Sequence, residues 1–414
     1  MGQAISLLGT WVQHVAMAWL VYRMTGSAFW LGVVGFAGHI PHMFFSPVAG
    51  VLADKWDKKK ILYLTQALSL WQAVMLTVLT LGQVIELWHV IGLAAFLGLV
   101  NAVDVPTRQS FFVELIEQKK DIGNAIALNS STFNIARLLG PALAGLLIAM
   151  KGEGICFLIN AVSFVPILVS LYFVRSPKRK KGESTIPVWR GFKEGARYLF
   201  QFSPIRDILF LMAFLGLFGM PFHILFPVFA SEILHAGSKV YGALAAAVGL
   251  GALAGALVVA SKKNVLGFEK IILFSSILFS VGMIAFSQSR SFFVALVVLF
   301  WAGLALMVQM ACANTVIQMV VDDDKRGRVM SFYSMAIVGT APFGSLLMGS
   351  LASHFGVSFA LLLCGLICLA GALIFTRRLA SIRKKIHPHY VKMGIVPEVA
   401  SGLAQATTLQ STEE

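Results

Sequence analysis

The sequence predicts an all-α integral membrane protein with twelve spanning helices set as two six-helix halves. Three observations carry this. The 414 residues are 58% hydrophobic and only 13% charged, with mean hydropathy +0.82, whereas a soluble domain carries about 25% charged residues. The apolar residues fall into twelve runs of the length, about 20 residues, that crosses about 30 Å of hydrocarbon. The longest interior hydrophilic stretch, Arg175 to Arg206, leaves six runs on either side.

In order, the runs lie at 2–23, 28–52, 61–82, 88–107, 123–150, 154–174, 205–231, 239–261, 269–288, 291–318, 329–351 and 356–376. In lipid every backbone polar group must find its partner within the protein, so continuous apolar runs of this length are helices. Barrel strands would alternate with period two instead. The organisation that follows is a first half at 1–174, a central loop at 175–204, a second half at 205–377 and a tail at 378–414. Shifting the chain against itself supports a duplication. At an offset of 210, Gly32 meets Gly242 and Lys60-Ile61 meets Lys270-Ile271; at 201, Asp121 meets Asp322, Ser130 meets Ser331 and Pro141 meets Pro342.

A net charge of +14 taken alone would suggest a nucleic-acid partner. The positions argue otherwise. Of the 33 basic residues, 28 fall on loops and ends of one side, four (Arg23, Lys151, Lys239 and Arg290) on the other, and Arg137 within a span. Lys and Arg are retained on the cytoplasmic side of spans, so the sequence predicts a cytoplasmic-membrane protein with both termini inside. Its partners are the lipid bilayer and a small-molecule substrate, not nucleic acid, and a monomer is expected. The first apolar run leads straight into a second span and is too long for a cleavable signal.

In the central loop, Trp189, Phe192, Ala196, Leu199 and Phe200 recur at helical spacing among Arg190, Lys193, Glu194 and Arg197. This predicts an amphipathic helix on the inner leaflet. The tail past Arg383, rich in Ala, Thr, Gln, Ser and Glu, reads as disordered. Cys156, Cys312, Cys364 and Cys368 all lie inside apolar runs without the His or carboxylates that would complete a metal shell, and read as packing residues.

Between the second and third runs stands Gly50-Val51-Leu52-Ala53-Asp54-Lys55-Trp56-Asp57-Lys58-Lys59-Lys60. It resembles the loop signature of the major facilitator superfamily, with Asp57 where that signature has a second glycine. Together with Asp104-Val105-Pro106-Thr107-Arg108-Gln109 and Asn124-Ala125-Ile126-Ala127-Leu128-Asn129, it is similar to the branch holding enterobactin-exporter-like and macrolide-efflux-like proteins, from Gly2 to about Arg378. The resemblance implies the major facilitator fold, export by alternating access, and no cofactor beyond a proton gradient. It also implies a latch of loop charges joining the inner ends of the halves when the transporter faces outward, for which Gly50, Asp54, Lys58, Asp104 and Arg108 are the candidates. The second half has Ala260 opposite Gly50 and Asn264 opposite Asp54, so the latch rests on the first. Members of the branch carry a basic, aromatic stretch before the position of Gly2, so either the first helix is short at its inner end or the start lies upstream of Met1.

Gly140, Pro141 and Gly145 in the fifth run resemble the Gly-Pro element of the superfamily's antiporters. Proline removes one internal hydrogen bond and the glycines admit a neighbouring helix, which predicts a kink. Arg137 lies in the same run. A charge at mid-membrane costs from about 2.5 to over 10 kcal/mol and therefore faces the bundle interior or an aqueous cavity. Ser130 and Asn134 share its helix face. Arg137 either binds an anionic or polar substrate group, or positions a proton-carrying site, or is a structural arginine held by carbonyls near the kink.

Further intramembrane polar groups complete the candidates. His39 and His42 in the second run, with His14 and His223 in the first and seventh, titrate near neutral pH and form either a proton relay or packed neutral rings. Gln13, Asn101, Gln309 and Asn314 either line a cavity or bond neighbouring helices. No carboxylate sits at mid-span, so proton coupling falls to His, Asp104 or Asp54. No phosphate-cradling Gly-Lys-Ser/Thr loop or nucleophile motif is present, and no enzyme is expected. The rival readings are an uptake or lipid-handling carrier of the same fold and a transport-dead sensor or scaffold. Vesicle flux separates these from export.

Overall fold

The computed structural model describes residues 2–115, 122–174, 196–262, 265–322 and 325–392, without the side chains of 46–55, 113, 122–127, 130, 389 and 391–392. Twelve helices in it are long and apolar enough to span a membrane. They are α1 Gly2–Thr25, α2 Ala28–Lys55, α3 Lys58–Leu81, α4 Leu87–Glu114, α5 Ile122–Lys151 and α6 Glu153–Phe173, then α7 Ser203–Ile233, α8 Ser238–Ala260, α9 Phe268–Gln288 and α10 Phe292–Val320, α11 Arg326–Phe355 and α12 Val357–Lys392. Large apolar side chains such as Val162, Leu257, Phe274 and Phe293 are exposed on the flanks, as lipid-facing positions require.

Short connections hold successive helices antiparallel. Gly152, between α5 and α6, and Gly356, between α11 and α12, have φ of 79° and 86°, a left-handed backbone that glycine adopts without cost. Asp57 caps α3, its carboxylate accepting from the Lys59 and Lys60 backbone N–H at 2.9 and 3.4 Å. The residue that departs from the loop signature thus satisfies two amides that have no partner within the helix.

The first six helices pack as α1 on α5 and α6, α3 on α6 and α4, and α2 on α4; the last six include α8 on α10, α9 on α10 and α12, and α11 on α12. Between the sets, α5 lies on α8 and α2 on α11. Both crossings are made by paired glycines. A Cβ on Gly145 would lie 2.7 Å from the Ser238 carbonyl oxygen and 2.9 Å from Gly242 Cα; one on Gly349 would lie 2.7 Å from the Ala28 carbonyl oxygen and 2.9 Å from Gly32 Cα. Such close approach is what small residues permit between spanning helices. The two crossings match at offsets of 210 (Gly32, Gly242) and 204 (Gly145, Gly349). Both lie toward the end of the bundle opposite the basic loops. There Tyr22 donates to Glu232 at 3.3 Å and Ser238 Oγ donates to the Gly145 carbonyl at 3.2 Å, further joining the two sets.

Helical winding is interrupted in α7 and α11 rather than in α5. α7 widens to a π-helix over Leu215–Gly219, tightens to a 3-10 helix over Met220–Leu225, where Pro221 enters, and widens again over Phe229–Ile233. α11 is π-helical over Met335–Gly339, just before Pro342. The two irregular stretches touch: a Cβ on Gly216 would sit 2.7 Å from both the Ala336 and Ile337 carbonyl oxygens. In α5 the helix runs through Pro141 unbroken to Lys151. The Gly-Pro element packs closely, Gly140 against Trp11 of α1 and Gly145 against Gly242 of α8.

The boundary at 378 is corrected. Helix α12 continues to Lys392, because Ile382, Ile386 and Tyr390 recur every fourth residue and are all buried. Arg383 Nε pairs with Glu269 of α9 at 3.2 Å and Lys385 Nζ donates to Ser203 of α7 at 2.8 Å. Residues beyond 392 lie outside the described part, as do Trp189 and Phe192 of the central loop. Residues 196–201 are helical; Leu199 joins the main core, and Lys325 stands 4.7 Å above the Tyr198 ring.

Candidate functional site

The site lies between the two sets of six, with side chains from α1, α2, α5 and α7. On α1, Trp11 packs beside His14 with ring centroids 6.3 Å apart and meets Phe133 of α5 edge-on at 6.1 Å. Phe133 is one turn from Arg137 on α5, and Arg137 sits at the α5–α8 crossing, where its carbonyl oxygen would be 2.8 Å from a Cβ on Gly249. On α2, Gly35 packs against Ile224 of α7, its Cβ position 3.2 Å from the Ile224 Cδ1. That contact sets His39, one turn on, near His223, the neighbour of Ile224.

His14, His39 and His223 are exposed although each lies mid-helix and is surrounded by other helices. Accessible polar rings deep in a bundle mark a cleft rather than a packed core. The charges of the three histidines reach one another, and that of Arg137 reaches His223. Arg137 is half-buried, and no ion-pair partner of its guanidinium occurs among the described residues. Among the described residues, no carboxylate is paired with His14 or His223. The arrangement is one fixed cation and three titratable rings.

Two of the rings have a defined tautomer. His39 Nδ1 lies 2.9 Å from the Gly35 carbonyl oxygen and His223 Nδ1 lies 2.8 Å from the Met220 carbonyl oxygen. A carbonyl can only accept, so Nδ1 carries the hydrogen in both rings. In the neutral ring Nε2 is then the free lone pair. His42 sits against the Asn101 backbone of α4, its Nδ1 buried and without a partner.

Other predicted site residues lie elsewhere. Gln13 is 1% exposed and faces away from the cleft: it donates to Gln72 of α3 at 2.9 Å and accepts from Asn160 of α6 at 2.8 Å, tying three helices of the first set. Gln309, also 1% exposed, turns into the second set beside Phe279, Ser280 and Cys368, with its Oε1 unpartnered. Neither lines the cleft, because each is on the helix face packed within its own set. Asn314 accepts from Gln318 on its own helix at 3.0 Å. Asn134 is half-buried and engaged in a polar interaction. The side chain of Ser130 lies outside the described part.

In this conformation the candidate latch charges Lys58, Asp104 and Arg108 are engaged within the first set. Asp104, 1% exposed, accepts from Thr65 and Gln66 of α3, both at 2.7 Å, and pairs with Arg108 on its own helix. Lys58 Nζ donates to Ser110 and Glu114 of α4, both at 2.5 Å. These groups clamp α3 to α4 within the first set, because the loop signature places them over that helix pair. The side chains of Gly50 and Asp54 lie outside the described part. At the opposite end, Arg23 of α1 pairs with the buried Glu153 of α6 at 2.8 Å beside a recess of about 690 Å³ that also touches Ser238 and Lys239.

No group of three His, Cys, Asp or Glu close enough to hold a metal occurs among the described residues. The four cysteines are buried and unbridged. Outside the spans, burial and then the nearby Glu269 charge push the Tyr390 hydroxyl up to about 12.

Twelve spans closing around a polar, charged cleft define a multi-pass membrane transporter of the major facilitator fold. The chain belongs to the MFS_3 family, transmembrane secretion effector, which it matches over residues 1–393. It is similar to the staphyloferrin A transporter of Staphylococcus aureus, 26% identical over 92% of this chain and 96% of that protein. It is also similar to macrolide efflux protein A of Streptococcus pyogenes, 24% identical over 89% and 92%. Among solved structures, the inward open xylose transporter XylE from E. coli shares the fold, with TM-score 0.69 and 13% identity over 90% of this chain and 94% of that one. The family and these relatives are transporters, not enzymes.

Sequence reasoning named Arg137 and the four histidines but not which of the rings share a cleft. The spacing of histidines on separate helices carries no signal of their convergence. The pairing of Gly32 with Gly349 was equally hidden, although the 210 offset had already matched Gly32 to Gly242.

Proposed function

We propose that this chain exports a small amphipathic molecule across the cytoplasmic membrane by alternating access, in exchange for protons. The observation that carries the reading is the accessible cleft holding Arg137 with His14, His39 and His223. Arg137 supplies a fixed charge for an anionic or polar substrate group, and the histidines supply the titratable sites. Support for export comes from a family described by secretion and a relative named for efflux. The excess of 28 basic residues on the side of both termini supports termini in the cytoplasm. The cleft then loads from the cytoplasm or inner leaflet, while the glycine crossings toward the other end are the contacts that part when the halves rock.

Everted membrane vesicles test this. With an acid interior, vesicles bearing the full chain accumulate a drug- or siderophore-like compound that control vesicles do not. Loss of accumulation on collapsing the pH gradient assigns the energy source. Accumulation without a gradient, or none at all across such compounds, contradicts the reading.

A further inference from the structure

Four of the 33 basic residues lie at the end of the bundle opposite the basic loops, the side from which Lys and Arg are normally depleted. Three of the four meet at one recess. Its volume is about 690 Å³, within the range of about 300–1,000 Å³ usual for a small-molecule site. It lies apart from the cleft, among the ends of α1, α5, α6 and α8. Arg23 of α1 and Lys239 of α8 line it, and Lys151 closes α5 two residues past Ala149 of its wall. The Arg23 guanidinium gives N–H donors from Nε and Nη2 to the buried Glu153, leaving its remaining donors for another acceptor. Lys239 is exposed and has no ion-pair partner among the described residues. The first turn of α8 completes the wall, and its N-cap, Gly237, offers the free amides no side chain; they add a partial positive charge. Against three cations stand two carboxylates, Glu153 and the Glu232 held by Tyr22.

We propose that this recess holds the phosphate headgroup of an anionic phospholipid from the leaflet at that end, with Arg23 and Lys239 on the phosphate and the acyl chains along α5. The planar fork of arginine and the point charge of lysine both suit phosphate, and basic pockets between spanning helices are where anionic headgroups bind. The surroundings favour a lipid over a free anion. Trp19 lines the recess, an aromatic at the level where spans meet water, and Leu146 and Met150 of α5 are exposed beside it. A free anion would leave that apolar flank unused. The site also joins the two sets of six, since Arg23 belongs to the first and Lys239 to the second. Next to Lys239, Ser238 Oγ donates to the Gly145 carbonyl at the α5–α8 crossing. A phosphate held by both cations is one more tie across that seam, and rocking the sets apart there separates its two partners. The lipid therefore favours the state in which this end is closed, because it binds that state better. None of this depends on what the cleft carries.

The test titrates the purified full chain, stripped of lipid in a nonionic detergent, and counts bound molecules by mass spectrometry of the intact complex. The probes are phosphatidylglycerol, phosphatidylcholine with the same chains, and glycerophosphoglycerol, which is the first headgroup without its chains. Phosphatidylglycerol should bind about tenfold more tightly than either of the others. A basic residue near an anionic headgroup is worth about fivefold, so Lys239→Gln should weaken phosphatidylglycerol about fivefold. Arg290→Gln, which removes the basic residue of that end outside the recess, should leave it unchanged. Arg23→Gln would also strand the buried Glu153, so the exposed Lys239 is the site to vary. Spin labels at Met24→Cys and Phe293→Cys, exposed positions of α1 and α10 at that end, should show a shorter mean distance with phosphatidylglycerol than with phosphatidylcholine. Equal binding of the two lipids, equal losses in Lys239→Gln and Arg290→Gln, or a distance that stays the same or lengthens overturns the proposal. Glycerophosphoglycerol binding as tightly as the lipid overturns the lipid as occupant in favour of a free phosphate compound.

Discussion

Gly145 of α5 and Gly242 of α8 cross with no room for a side chain, a Cβ on Gly242 lying 2.8 Å from Gly145 Cα and 2.6 Å from the Pro141 carbonyl oxygen. The obstructing atoms are backbone, so a methyl group can be accommodated only by separating the helices. Gly145→Ala and Gly242→Ala are each predicted to destabilise the protein by about 1–3 kcal/mol, the usual effect of overpacking. Gly32→Ala and Gly349→Ala should do the same at the matching crossing. Gly92→Ala, where nothing lies within 4 Å, should be neutral or better by up to about 1 kcal/mol, since alanine is the stronger helix former. Thermal unfolding of the five purified variants checks the pattern.

The Asp104–Arg108 pair predicts an asymmetry. Asp104 is 1% exposed while Arg108 is 30% exposed. Arg108→Met strands a buried carboxylate with only the neutral donors Thr65 and Gln66, at a cost of about 3–5 kcal/mol. Asp104→Asn leaves an arginine that still reaches water, and should cost less. The double variant should recover part of the loss, which a double-mutant cycle measures.

Tyr390 predicts an alkaline weakness in the α12 extension. Its hydroxyl is buried with no hydrogen-bond partner among the described residues and is pushed up to about 12 by burial and then the Glu269 charge, against an ordinary value of about 10. The folded state holds that proton more tightly than the unfolded chain. The stability from docking is therefore whole below about pH 10 and falls as pH climbs toward the folded value. Tyr390→Phe should remove this loss and leave neutral-pH stability unchanged or up to about 1 kcal/mol higher. Thermal unfolding of both proteins from pH 8 to 11.5 shows whether the curves part above pH 10.

All twelve spans were legible because length and apolarity are properties of contiguous residues. Helix faces were less so. Gln13 and Gln309 are polar residues in apolar runs like His39, yet they turn toward neighbours of their own set, and only packing decides that. Asp104 and Arg108 stood in a charged loop motif, but the motif does not say which helices their side chains bridge. The α12 extension was missed because a basic run masks the Ile382, Ile386 and Tyr390 stripe. The broken winding of α7 leaves little trace beyond Pro221 and Pro227, and it is there that His223 sits.

Arg137 tests the account most directly. Everted vesicles with an acid interior and the full chain are compared with vesicles bearing Arg137→Ala at equal amounts of inserted protein, using erythromycin and 2,3-dihydroxybenzoate as probes. The account predicts gradient-dependent accumulation by the parent and a loss of at least about 90% in the variant, with Arg137→Lys between them because it keeps the charge but not the planar fork. Undiminished accumulation by Arg137→Ala would contradict the assignment of the cleft as the transport site.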